Sequence, residues 1–149
     1  MVELPRDMDA AQVPPRHRAR EAVVKALYQW DVARSDPVEF IRYLAREDGL
    51  TIAQENVAME LLQGVFASMP EIDRRITAQA HGWRLSRLAT MDRNVLRLAC
   101  YELCTEGKTP VAVCIDEAVD LANVYGTEDS ARFVNGVLGE LARSLKSRA

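Results

Sequence analysis

Residues 111–141 read VAVCIDEAVDLANVYGTEDSARFVNGVLGEL, and this stretch decides the fold class. Its first half predicts a helix whose buried face is formed by Val111, Ile115, Ala118, Ala122 and Tyr125. Its second half predicts a helix that buries Val134, Val137, Leu138, Leu141 and Leu145. Gly126 suits the end of the first helix, and Thr127 or Asp129 is expected to cap the second. Two consecutive amphipathic helices indicate an all-α fold.

The rest of the chain carries the same helical pattern. Helical segments are expected at about residues 16–34, 37–47, 52–69, 70–80, 85–88, 90–104, 110–125 and from 130 onward. Thr51 and Gln54 have the spacing of a capping box, and His81-Gly82 is expected to end the fourth segment. No convincing strand pattern is found. We therefore predict an all-α bundle of about eight helices in two packed helical subdomains.

Length and charge limit the function classes. The chain has 149 residues, a net charge of −3 and three cysteines, an odd number that favours a reducing cytoplasm. The acidic balance excludes a globally basic nucleic-acid protein but allows a local basic patch. Residues 1–15 lack the apolar core of a signal peptide and are expected to form a flexible tail before a helical domain at 16–149. No apolar run is long enough for a membrane span.

A basic block opens the first predicted helix and consists of Arg16, His17, Arg18 and Arg20. Arg16 and Arg20 share a helical face. Cations at a helix N-terminus oppose the helix dipole, which favours a phosphate-facing role. A solvated face with ion pairs such as Glu21–Lys25 explains the block equally well.

The start of the last helix offers a second candidate. Phe133 lies beside Arg132, off the centre of the apolar stripe, where it can stack on a base. Packing in the core is the commoner role of such a residue. Gly136 costs a helix about 1 kcal/mol relative to Ala, which predicts close helix packing there.

The sequence shows no catalytic constellation. An acidic face formed by Asp116, Glu117 and Asp120 has no accompanying nucleophile or phosphate loop and suits a basic partner better than acid–base chemistry. Cys100 and Cys104 are one turn apart, but a zinc site needs more ligands at matched spacing, so packing cysteines are expected. We predict a protein that is not an enzyme and needs no metal or cofactor.

Three stretches resemble the NusB family of transcription antitermination factors: residues 16–31 (RHRAREAVVKALYQWD), 92–103 (DRNVLRLACYEL) and 111–141. The resemblance implies an eight-helix fold of two subdomains and a non-enzymatic, cytoplasmic role. It implies binding, together with the small-subunit ribosomal protein NusE, to the boxA element of nascent ribosomal RNA leaders. The resulting complex on RNA polymerase resists termination and supports ribosomal RNA synthesis.

Compared position by position, the resemblance assigns RNA contacts to Arg16, His17, Arg18, Arg20, Tyr28, Asp129, Arg132 and Phe133. It places Asp92 on the NusE side. His17 departs from the family, which often has Arg or Lys there, and weakens the basic block because histidine is mostly neutral near pH 7. The oligomeric state stays open, since some members form homodimers.

Two alternatives remain at this stage. The same fold serves as an accessory domain of ribosomal RNA methyltransferases, although this chain carries no methyltransferase segment. A helical module that binds only protein, with its arginines in solvent, is the other alternative.

Overall fold

The structure is a computed structural model that describes residues 15–80 and 85–146. Within these ranges there are seven α-helices, one 3₁₀ turn, one π-helical turn and no strand. The α-helices are α1 (Pro15–Ala33), α2 (Pro37–Glu47), α3 (Ile52–Ala67), α4 (Met69–Gln79), α5 (Thr90–Tyr101), α6 (Val111–Tyr125) and α7 (Ser130–Lys146). The 3₁₀ turn is Leu85–Arg87, and the π-helical turn Glu102–Glu106 extends α5.

The predicted all-α fold is confirmed, since the seven α-helices and the 3₁₀ turn match the eight expected segments. Of the predicted tail, residues 1–14 lie outside the described residues, and so does the helix end expected at His81-Gly82. Across the described ranges, no helix is both long and apolar enough to cross a membrane. The chain divides into two compact units, Met1–Gln63 and Gly64–Ala149, as the two-subdomain prediction requires.

Local hydrogen bonds set the helix ends in the first unit. Asp36 Oδ1 accepts from the Val38 N–H at 2.9 Å and so caps α2. Thr51 and Gln54 form the predicted capping box: the Gln54 N–H donates to Thr51 Oγ1 at 3.1 Å, and the Thr51 N–H donates to Gln54 Oε1 at 2.8 Å. These side chains satisfy N–H groups that the first helical turn leaves without partners.

The end of α1 has an unexpected geometry. Arg34 has a left-handed backbone conformation with φ 57°, a region that residues other than glycine rarely adopt. Its N–H donates to the Trp30 carbonyl oxygen at 2.9 Å, and its guanidinium carbon lies 5.6 Å from the centre of the Trp30 ring. The cation–π contact offsets part of the backbone cost.

A buried ion pair joins two helices of the second unit. Arg97 of α5 is 6% exposed and binds Asp73 of α4 through two bonds, Nε to Oδ1 at 2.9 Å and Nη2 to Oδ2 at 3.1 Å. Its Nη1 donates to Asn94 Oδ1 at 3.0 Å. A buried guanidinium is tolerated only when it is paired in this way, so the contact fixes the register of α4 against α5.

The buried face of α6 is rotated from the predicted one. The prediction is confirmed for Ala118 and Ala122, but the other buried residues are Cys114 and Leu121, and Val111 is 43% exposed. The helix has apolar residues on more than one face, and its contacts with α5 and α7 select which face is buried. The predicted stripe on α7 is confirmed for Val134, Val137, Leu138 and Leu141.

Two glycines near α7 behave in opposite ways. A methyl group on Gly126 would collide with the Ser130 side chain and would lie 2.7 Å from the Ala122 carbonyl oxygen. Ser130 must approach because its hydroxyl accepts a hydrogen bond from the Thr127 N–H at 2.8 Å. This bond lies at the start of α7, the helix that Thr127 or Asp129 was expected to cap. Gly136 is exposed, and an added methyl group there would meet no atom within 4 Å, so the predicted close packing at Gly136 is wrong.

We expect Gly126→Ala to lower the free energy of unfolding by about 1–3 kcal/mol, because the turn is overpacked. Gly136→Ala is the matched control and should raise it by up to about 1 kcal/mol, because alanine favours the helix. Urea unfolding followed by circular dichroism measures both values. Equal effects of the two substitutions would contradict this account of the turn.

Candidate nucleic-acid interface

The basic block lies on the first turns of α1, where it is partly used by the fold. Arg18 Nη2 donates to the Asp48 carbonyl oxygen at 2.6 Å, and Lys25 Nζ lies 3.7 Å from Asp48 Oδ2. Asp48 is the C-cap of α2, so both cations lie at the negative end of that helix dipole. The guanidinium of Arg18 has further N–H donors, and one bond to a carbonyl does not exhaust them.

Arg20 does not present its charge to solvent. It is 4% exposed, whereas Arg16 is partly exposed and His17 is exposed. The expectation that Arg16 and Arg20 form one phosphate-facing pair is therefore wrong for Arg20. The reason is helical spacing: Arg20 precedes Val23 and Leu27 by one and two turns and falls on their buried stripe. Tyr28 is partly exposed on the same helix.

Phe133 of α7 separates two clefts within the second unit. It is partly buried, which places it between the core and base-stacking alternatives. The α4–α7 cleft has a volume of about 380 Å³, and its lining includes Gln79, Ala80, Arg132 and the bare backbone at Gly136. The Asp92 cleft has a volume of about 310 Å³, and its lining includes Arg87, Asp92, Thr127 and Asp129. Phe133 contributes to the walls of both, so a ligand in either cleft can contact its side chain.

Asp92 is the most unusual residue of the second cleft. It lies in the first turn of α5 and is 8% exposed. Among the residues that the structure describes, none donates a hydrogen bond to its Oδ1. The sequence comparison had placed Asp92 on a protein-binding side and Asp129 with Phe133 on an RNA side, yet the fold brings all three to one cleft.

Arg87 is a candidate that sequence reasoning missed. It ends the 3₁₀ turn, which Arg93 holds in place by donating from Nη1 to the Leu85 carbonyl oxygen at 3.2 Å and the Leu88 carbonyl oxygen at 3.4 Å. A single turn has no periodicity from which one could predict the side on which Arg87 lies. The signal in the sequence was its position three residues before the start of α5.

The predicted acidic face is present on α6. Asp116 and Asp120 are exposed, and Glu117 is partly exposed. Val111, Val113 and Val124 of the same helix are also exposed, at 43%, 42% and 68%. This mixture of carboxylates and apolar side chains is compatible with a basic protein partner.

The paired cysteines form a hydrogen-bonded thiol pair. Cys100 Sγ lies 3.9 Å from Cys104 Sγ. The hydrogen bond from Cys100, together with the nearby Arg75, lowers the pKa of Cys104 to about 7, although burial opposes the shift. The same bond and burial raise the pKa of Cys100. Within residues 15–80 and 85–146, no group of three or more metal-ligating side chains comes together.

Comparison with known proteins identifies the family. A family model described as the NusB family matches residues 17–143. The chain belongs to the NusB family. The matched range includes every candidate residue except Arg16.

Relatives in several bacteria carry the same family name. The transcription antitermination protein NusB of Desulforudis audaxviator is 41% identical over 126 residues, which cover 85% of this chain and 91% of that protein. The protein of that name from Heliobacterium modesticaldum is 39% identical over 131 residues, but the match spans 88% of this chain and only 64% of that protein.

Solved NusB structures share the fold. NusB of T. maritima superimposes with a TM-score of 0.80 at 38% identity, covering 91% of this chain and 99% of that one. A chain from the crystal structure of the antitermination factors NusB and NusE in complex with double-stranded RNA has a TM-score of 0.80 at 27% identity, covering 87% and 97%.

We expect iodoacetamide to alkylate Cys104 of this NusB-family protein before the buried Cys100 and Cys114. Because the pKa of Cys104 is lowered to about 7, its reactive thiolate forms as the pH rises through about 7. The alkylation rate should therefore increase with pH around pH 7 and decrease as the pH is lowered further. Mass spectrometry of quenched samples measures the site and rate, with Cys104→Ser as the control. A profile that rises only above about pH 8.5 would mean an ordinary thiol.

Proposed function

We propose that this chain is a transcription antitermination factor that binds the boxA element of nascent ribosomal RNA leaders together with NusE. The observation that carries the proposal is the fold shared with the NusB chain that was crystallised with NusE and RNA. The relatives named transcription antitermination protein NusB support the same role. In this role the chain joins a complex on RNA polymerase, in the cytoplasm where transcripts are made, and needs no catalytic group.

The charge distribution suits such a shared task. With a net charge of −3, the chain attracts RNA only through local cations. Arg16 and Arg18 supply these in the first unit, and the exposed Arg132 supplies one in the second. Each set is small, so we expect weak binding by the chain alone and tighter binding when a partner adds its own RNA contacts. The acidic face of α6 offers that basic partner a complementary surface.

The central experiment is a titration of fluorescent boxA RNA and a scrambled strand with the chain alone and then with NusE. The proposal requires preference for boxA and tighter binding when NusE is present. Binding to NusE with no RNA binding in either case would favour the protein-binding module instead.

Arg132→Gln should weaken boxA binding and reduce the slope of log affinity against log salt by about 0.7, the value expected for one lost phosphate contact to a single strand. Arg143→Gln is the matched control, because Arg143 is also exposed on α7 but pairs with Glu140 at 2.6 Å. Fluorescence anisotropy at several salt concentrations measures both slopes. Identical salt slopes for the two variants would show that Arg132 makes no phosphate contact and does not belong to the RNA interface.

Phe133→Ala should weaken RNA binding by about 1–3 kcal/mol, the usual loss for one stacked base, at every salt concentration. Because Phe133 is only partly buried, most of the fold should survive the substitution. Anisotropy and thermal unfolding are measured on the same preparation. A large fall in melting temperature with unchanged affinity of the folded protein would place Phe133 in the core.

A further inference from the structure

The Asp92 cleft contains an acceptor that lacks a donor. Asp92 is more than nine-tenths buried, and no described residue donates to its Oδ1. Buried carboxylate oxygens are normally hydrogen-bonded, because leaving one without a donor is destabilising. The exception lies in a residue that lines a cleft, and a ligand there can supply the missing donor once the Asp92 side chain turns its Oδ1, now closed to solvent, toward the cleft.

The other walls narrow the kind of ligand. Phe133 provides an aromatic surface, Asp129 adds a second acidic side chain, and Arg87 adds a cation. The volume of about 310 Å³ is at the small end of the range of about 300–1,000 Å³ for ligand pockets, which suits a single flat group. An aromatic surface, the buried acceptor of Asp92, the exposed carboxylate of Asp129 and one cation together suit a nucleotide whose base carries N–H donors.

We propose that Asp92 is a specificity-determining residue that accepts hydrogen bonds from the Watson–Crick edge of a guanine inserted into this cleft against Phe133. The inference rests on the proposed RNA-binding function and adds a base preference to it.

Guanine fits because a carboxylate can accept two parallel N–H bonds. Guanine presents N1–H and N2–H side by side. Adenine and cytosine present an amino group next to a ring nitrogen that is itself an acceptor, and uracil presents one N–H between two carbonyl oxygens. Each of these other edges therefore places one of its own acceptor atoms against a carboxylate oxygen, where no hydrogen bond can form.

The test uses uridine dodecamers with one central guanosine, adenosine, cytidine or inosine, titrated by anisotropy with NusE present and with boxA RNA as the positive control. The wild-type protein should bind the guanosine strand about tenfold tighter than the adenosine or cytidine strand. Inosine lacks the N2 amino group and should lose most of this preference. Asp92→Asn should reduce the preference to below about twofold, because its amide replaces an acceptor with a donor.

Glu60→Gln is the matched control, since it removes one negative charge from an exposed site on α3, outside both the Asp92 cleft and the acidic face of α6, and should keep the guanosine preference. If Asp92→Asn does not fold, the wild-type protein with inosine or 1-methylguanosine still tests the proposal. Equal affinities for all strands, or no binding to the guanosine strand while boxA RNA binds, would overturn the base-reading role and leave the proposed function intact. Failure to bind boxA RNA even with NusE would instead reject the proposed function.

One outcome would reassign the residue. If Asp92→Asn weakens binding to NusE and leaves the guanosine preference unchanged, the carboxylate belongs to a protein interface and the base-reading role is rejected.

Discussion

The ion pair between Arg97 and Asp73 is the constraint on which the second unit depends. A buried guanidinium is costly unless its donors are matched, and here Asp73 and Asn94 match them. Asn94 is held in turn by its bond to the Thr90 carbonyl oxygen at 2.9 Å. The geometry of two parallel bonds allows one register of α4 against α5. Because both helices also contact α7, the ion pair sets the frame in which the two clefts beside Phe133 form.

Cations in the first unit serve the fold as well as any ligand. Arg18 and Lys25 both contact Asp48, where they stabilise the C-terminal end of α2, and Arg20 is buried. This use of charge explains why a basic block read from a sequence overstates the cationic surface. It also explains how an acidic protein can carry arginines at a helix N-terminus, where the dipole disfavours them.

Several predicted features depended on residues close together in the chain, and these are the ones confirmed in detail. The capping box of Thr51 and Gln54 opens α3 as predicted, because its two bonds link residues three positions apart. The predicted buried face of α6 is confirmed only at Ala118 and Ala122, and the predicted close packing at Gly136 is wrong. Both depend on which neighbouring helix lies opposite, and the periodicity of one helix does not contain that information.

By itself, the sequence determined the all-α fold, most helix ends and the family, because capping bonds, turn residues and apolar periodicity are local. Only the tertiary structure decided that Arg20 is buried and that Asp92, Asp129 and Phe133 line one cleft. It also revealed the carboxylate oxygen of Asp92 that lacks a donor. The physical reason is that burial and hydrogen-bond satisfaction depend on contacts between distant parts of the chain, which form only when the helices pack.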